Sequence, residues 1–281
     1  MLGVATVTGH MQLVRLKTMH VLRHERVQLS FLRSLLGVRD TCPTLTVLAE
    51  TGRLPQAAQW AVQTARFVNC LTDLDDSRVA KQAFMDSLAL AGEGGDAGRG
   101  RRCWAAEVGE MLATLGVDTA MLRGLPPREL VAAEVRDAAA RMHYRRYAPE
   151  ACGPMVRRYQ ETVRGEPVSE ATYNTAQFLR EVHERGQRVS PARVRTGCSC
   201  LPEDKGRTRG LSREERPCPC GAGLGSAEHC LLQCPLTAAV RQQFASLFTP
   251  QQTLAGLLGG QEQRRVAQYV EACLALDAWA A

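Results

Sequence analysis

The sequence predicts a mainly α-helical protein, built of helical lobes with a small zinc-knuckle element near the C-terminus. Three observations predict it. Apolar residues recur at helical spacing in most of the long segments, and period-two alternation is nearly absent. Four of the 11 cysteines fall with one histidine between residues 218 and 234. At 45% hydrophobic and 23% charged, the 281 residues are rich enough in apolar side chains to form a core, which Leu, Val and Ala must fill because aromatics make up 5%. No run of 18 apolar residues occurs, which predicts no membrane span. The first twenty residues lack a continuous apolar stretch, which predicts no secretion and an intracellular location, nuclear or cytoplasmic. Cysteines clustered in a reducing compartment favour metal binding over disulfides.

The elements follow in order. "TLTVLAE" (44–50) reads equally as a short strand or a helix. "QAAQWAVQTARFVNCL" places Trp60, Phe67 and Leu71 on one helical stripe. "SRVAKQAFMDSLALAG" repeats Ala80, Phe84 and Leu88 four apart, with Gly92 as a stop. Then "GEGGDAGRGRR" holds five glycines in eleven residues, the composition of a flexible linker. Beyond it, "CWAAEVGEMLATLG" aligns Trp104, Val108, Met111 and Leu115, and "PPRELVAAEVRDAAARMHYRRY" opens with prolines that a first turn tolerates. "SEATYNTAQFLREVHERG" offers Ser169 as N-cap and Gly186 as terminator. "LTAAVRQQFASLF" and "EQRRVAQYVEACLALDAWA" read as two amphipathic helices after the cysteines. These boundaries divide the chain into a helical region 1–92, a linker 93–102, a helical domain 103–190, a basic segment with the knuckle 191–235, and C-terminal helices 236–281.

The cysteine-rich stretch follows the pattern C-x-C-x8-H-x4-C through Cys218, Cys220, His229 and Cys234. Zinc takes four thiolate or imidazole donors in a tetrahedron, one pair on a tight loop and one pair further on. Gly221, Gly223 and Gly225 permit the loop, and Ser226 can cap a short helix that carries His229 and Cys234. One residue separates the first two cysteines, where structural zinc pairs usually leave two or more. Cys230, four residues before Cys234, and the nearby Cys198 and Cys200 are alternative donors. The net charge of +6 is concentrated just upstream: residues 185–216 carry nine basic side chains against four acids. A local basic stripe attracts phosphate backbones. Arg193, Arg195, Lys205, Arg207 and Arg209 are the candidate nucleic-acid contacts.

"RTGCSCLPEDKGRTRGLSREERPCPCG", followed by "EHCLLQCP", resembles the C-terminal region of non-LTR (LINE-type) retrotransposon reverse transcriptases. "FLRSLLGVRDTCPTLTVLAETGRLP" is similar to the thumb and post-thumb stretch of that family, and "WAVQTARFVNCL" and "CWAAEVGEMLATLG" to its linker. The similarity runs from about Gln28 to the C-terminus and lies in the order of the pieces. It implies a thumb-like lobe and a linker lobe, bound zinc, and a grip on template RNA, single-stranded DNA or target DNA beside a retroelement polymerase. The family's palm and its catalytic aspartates have no counterpart, so the chain is expected to be no enzyme. Asp75 and Asp76 follow one helical stripe and open another, where a two-metal site would need a β-hairpin; they read as helix-start residues. Two alternatives stand beside this reading: a protein-interaction or structural module stapled by zinc, and a remnant of a retroelement reading frame without function.

Overall fold

A computed structural model describes residues 18–92, 103–118 and 132–279. It is mainly helical, and the described residues contain no strand. No helix among them is long and apolar enough to cross a membrane. The chain forms two compact units: residues 1–27 with 54–145, and residues 28–53 with 146–281. The division falls inside helix α1 (Thr18–Leu36). The glycine-rich linker placed at 93–102 lies outside the described residues, as does the proline-led start of the segment from residue 126.

The first unit holds α3 (Gln56–Asp73), α4 (Val79–Gly92), α5 (Trp104–Thr114) and α6 (Ala132–Tyr144). Buried residues on α3 (Ala58, Ala61, Ala65, Val68) recur three and four apart, as one helix face requires. Its alanines match alanines on α6 (Ala138, Ala139), and small side chains let these two helices pack closely. Trp104 stands edge-on to both Phe67 and Phe84, each 5.8 Å away between ring centroids. The expected α4 stripe begins at Phe84, because Ala80 in its first turn is exposed.

The second unit begins with α2 (Thr44–Thr51), which settles the ambiguity of "TLTVLAE" as helix. Every residue from Thr46 to Thr51 is buried, including Glu50, so this short segment is central to the unit. Its end is fixed by Gly52, whose φ of 60° is left-handed; a Cβ there would lie 2.4 Å from the Thr175 backbone nitrogen. Residues 28–53, which the sequence groups with the N-terminal region, therefore belong with the C-terminal half. The physical reason is the buried charge on Glu50, whose partners Tyr159 and Arg195 lie there.

Helix α7 (Pro154–Arg158) continues into a π-helical turn, Tyr159–Arg164. The single helix expected over 169–186 is instead a looped segment followed by short α8 (Gln177–Glu181). Ser169 bonds to Thr172 rather than capping a helix, and Gly186 lies inside α9 (Arg185–Arg195) rather than ending one. Helices α10 (Pro202–Thr208), α11 (Ala238–Gln243), α12 (Leu254–Leu258) and α13 (Gln263–Leu274) complete the unit. Helix α9 packs along α13, and Tyr269, Val270 and Cys273 of α13 sit in the main core with Leu231 and Cys230.

Candidate metal centre

The residues that precede Cys218 and follow Cys220 form a tight loop. Pro217 pairs with Leu224 in an antiparallel bridge, Cys218 N–H donates to the Gly223 carbonyl at 2.7 Å, and Gly221 N–H donates to the Cys218 carbonyl at 2.9 Å. Gly221 takes a φ of 77°, a conformation that glycine adopts without steric cost. This turn brings Cys220 back beside Cys218 even though one residue separates them.

The second donor pair comes from a π-helical turn, His229–Gln233. Ser226 Oγ accepts from His229 N–H at 3.2 Å, as expected of a capping serine. The four-residue gap between His229 and Cys234 would separate them by about 140° around an ordinary α-helix. Here Cys234 N–H donates to the His229 carbonyl at 2.8 Å, an i→i+5 bond, and the widened turn returns Cys234 to the side of His229. Cys230 faces the core, fully buried, and is not part of the donor cluster.

The donor atoms of Cys218, Cys220, His229 and Cys234 all lie within 4.8 Å of one another. Cys218 Sγ is 3.6 Å from Cys234 Sγ, and Cys220 Sγ is 3.2 Å from His229 Nε2. Tetrahedral zinc with Zn–S bonds near 2.3 Å puts neighbouring sulfurs roughly 3.8 Å apart, so the donor set fits such an ion. The four residues could hold a metal ion. Cys218 and Cys234 are buried, whereas Cys220 and His229 are half-exposed, which leaves the ion a route in.

The two thiols of the loop are tuned in opposite directions. The Ala222 N–H aimed at Cys220 Sγ, together with the neighbouring thiols and the imidazole, lowers Cys220 to about 6. Burial pushes Cys218 up to about 12, with the adjacent sulfurs adding to the shift. The lowered Cys220 favours the thiolate form that a metal takes, whereas a bound cation has to displace a proton from the raised Cys218. Cys198 and Cys200 lie elsewhere. Cys198 packs with the core that holds Cys42, and Cys200 Sγ donates to the Leu274 carbonyl at 3.5 Å.

The basic segment divides into engaged and exposed members. Arg195 is a correction to the expected contact set, because its guanidinium is buried and committed. Its Nε donates to Glu50 Oε2 at 2.8 Å and its Nη1 to the Leu258 carbonyl at 3.1 Å, and it stacks 5.6 Å from the Phe178 ring centroid. Arg207 Nη2 donates to Asp204 Oδ1 at 2.9 Å and also to the Gly197 carbonyl. Lys205 Nζ donates to the Trp279 carbonyl, and Arg216 to that of Leu211. Arg193 stays exposed while its Nε donates to the Gly37 carbonyl at 2.9 Å. Arg209 and Arg213 are exposed and form no salt bridge among the described residues. Sequence reasoning missed the organising acid: Asp204 accepts from Ser199 N–H, Ser199 Oγ and Arg207, and neighbouring Glu203 pairs with Arg158 at 2.7 Å.

Helix α10 is tied to the metal loop, since Glu203 N–H donates to the Gly225 carbonyl at 3.1 Å. A Cβ on Gly225 would lie 2.5 Å from Pro202 Cβ, so that contact requires glycine. Compared with protein-family models, with curated proteins and with solved structures, the chain has no match.

Proposed function

We propose that the chain is a zinc-stapled nucleic-acid-binding module, the C-terminal part of a retrotransposon reverse transcriptase of the non-LTR type, without a catalytic palm. One observation carries the reading: exposed Arg209 and Arg213 sit on the stretch between α10 and the metal loop, two elements that the Glu203–Gly225 bond ties together. Zinc held by Cys218, Cys220, His229 and Cys234 would supply a cross-link between the loop and the π-turn. The chain's own side chains would do the binding. Guanidinium forks on Arg209, Arg213, Arg193 and Arg185 suit phosphate oxygens of RNA, single-stranded DNA or target DNA, and read no sequence. Asp75 suits the helix-start role, since its Oδ1 accepts from Ser77 N–H at 2.9 Å and from Ser77 Oγ, in the turn before α4.

Binding of a labelled single-stranded RNA to the zinc-loaded chain, followed across a salt series, tests this. Neutralising two to four phosphates predicts a log K against log salt slope of about −1.5 to −3. Changing Arg209 and Arg213 to alanine should weaken all sequences alike and flatten the slope. A specific observation favours a second reading, in which zinc staples a structural or protein-interaction module. Arg195, Lys205, Arg207 and Arg216 are all engaged inside the fold, which leaves few cations for phosphate. RNA binding that ignores both salt and the arginine substitutions would leave that reading in place.

A further inference from the structure

Beside the π-turn, the second unit carries a groove of about 740 Å3, lined by Leu232 and Gln233 of that turn, by Arg241 and Gln242 of α11, and by Phe248. Its volume lies within the range of roughly 300–1,000 Å3 typical of small-molecule sites. Some cations of this unit are neutralised by buried acids. Arg195 pairs with Glu50, Arg207 with Asp204 and Arg158 with Glu203. Arg241 is half-buried and forms no ion pair among the described residues. Its Nη1 donates to Thr237 Oγ1 at 2.5 Å, and that hydroxyl is in turn directed at the carbonyls of Cys230 (2.8 Å) and Cys234 (3.0 Å). This chain of bonds holds the guanidinium in place beside Tyr269, with which it also interacts, and a guanidinium has five N–H donors to share. A fixed, partly desolvated guanidinium facing a groove is suited to a phosphate.

The rest of the wall suits a base. Phe248 is half-exposed and is braced by an edge-to-face contact with Tyr269, 5.2 Å between centroids at 80°. Gln233 and Gln242 are exposed and present amides that can donate and accept at a base edge. An aromatic face beside a phosphate-binding cation is the pairing that single-strand sites use. We infer that this groove is a nucleotide site, with the phosphate on Arg241 and the base against Phe248. The choice of a nucleotide over other phosphorylated ligands rests on the nucleic-acid reading above; the groove and its cation without a counter-ion stand apart from it.

The zinc-loaded full chain is titrated with adenosine 5′-monophosphate, adenosine and orthophosphate by calorimetry, with the site mapped on the wild type by NMR shift changes. The monophosphate should perturb residues 232–252 and should bind about tenfold more weakly to Arg241→Gln. Arg241→Lys should retain part of the affinity, and unchanged zinc content and melting would show that both variants fold. Phe248→Leu should weaken the monophosphate about three- to tenfold and leave orthophosphate unaffected. Orthophosphate binding as tightly as the monophosphate overturns the nucleotide assignment, and so do shift changes that map away from the groove. The same variants are then tested with single-stranded RNA. RNA bound equally by wild type and Arg241→Gln, with no monophosphate binding, rejects the groove and keeps the nucleic-acid reading. Arg241-dependent monophosphate binding without RNA binding at any salt supports the groove and rejects that reading.

Discussion

Replacing Arg195 by alanine asks whether this arginine is scaffold or phosphate contact. In the structure it bridges α9 to Glu50 of α2 and to the carbonyl of Leu258 at the end of α12. Its removal leaves the Glu50 carboxylate, which is 1% exposed, with the Tyr159 hydroxyl at 2.5 Å as its remaining strong partner. Stranding one charge of a buried pair costs about 3–5 kcal/mol. In a body of this size, 1 kcal/mol moves Tm by about 2–4 °C, so Arg195→Ala should melt roughly 10 °C lower. Urea unfolding of the zinc-loaded protein measures the loss directly. The double variant with Glu50→Gln should recover part of it, because no unpaired carboxylate then remains, and the cycle isolates their coupling. Alkaline titration adds a signed check. Burial and the Glu50 charge raise the Tyr159 phenol well above its ordinary value, so its contribution is complete below pH 10 and declines as pH rises beyond that. At a temperature where the variant is folded, RNA affinity should stay within about twofold of wild type. The reasoning fails if Arg195→Ala is as stable as the parent, or weakens RNA binding as the Arg209→Ala, Arg213→Ala double variant is expected to.

Elemental analysis after purification without chelators should find a bound metal in wild type and in Cys230→Ala, and none in the Cys218→Ser, Cys234→Ser double variant. Metal lost from Cys230→Ala in a protein that still folds would bring Cys230 into the ligand set. Metal affinity should rise with pH between 6 and 8 by up to about tenfold per unit for each proton displaced, since Cys218 binds only as thiolate; a flat profile contradicts the shift assigned to it. The Cys42 thiol hydrogen-bonds to Cys198 and lowers it to about 6, while Cys42 itself is pushed up and buried. Alkylation at pH 7, read by mass spectrometry, should therefore reach Cys198 before Cys42, with a rate that climbs from pH 5 to 7 and then levels. Gly225→Ala should lower both stability and metal retention, because its Cβ would overlap Pro202; a neutral outcome would mean that α10 can move away from the loop.

The helices were legible where burial and periodicity coincide. Trp104, Val108, Met111 and Leu115, which read as one face, all pack in one core. What escaped the sequence was nonlocal. Nothing around residue 50 announces that a glutamate in "TLTVLAE" will be buried, because its partner Arg195 is 145 residues away. For the same reason the division into units could not be placed by composition. The glycine-rich stretch marks a local change in chain stiffness, whereas the buried Glu50–Arg195–Tyr159 group decides which segments fold together. The arginines show the same limit. Counting nine basic residues gives the charge of residues 185–216, but exposure depends on acids such as Asp204 and on carbonyls such as those of Gly197 and Trp279.

The candidate metal site was legible in its residue types and ambiguous in its geometry, and two local features bring its donors together. A one-residue gap between Cys218 and Cys220 looks too short for a pair of ligands, yet the turn closed by Gly221 N–H brings both sulfurs to the same donor set. The gap between His229 and Cys234 looks wrong for a helix, and Cys230 looks better placed relative to Cys234. The π-turn reverses that preference: widening the turn by one residue brings Cys234 round to His229 and turns Cys230 into the core beside Leu231. Core contacts hold the widened turn, since Tyr269 donates its hydroxyl to the Leu231 carbonyl and Thr237 is directed at those of Cys230 and Cys234. The candidate donor set thus depends on packing on α13 as much as on the order of cysteines. Tyr269→Phe, which removes one of those contacts and little volume, should loosen metal binding without touching a ligand. Competition with a chromophoric chelator would measure the change, and an unaltered affinity would show that the metal alone sets the turn.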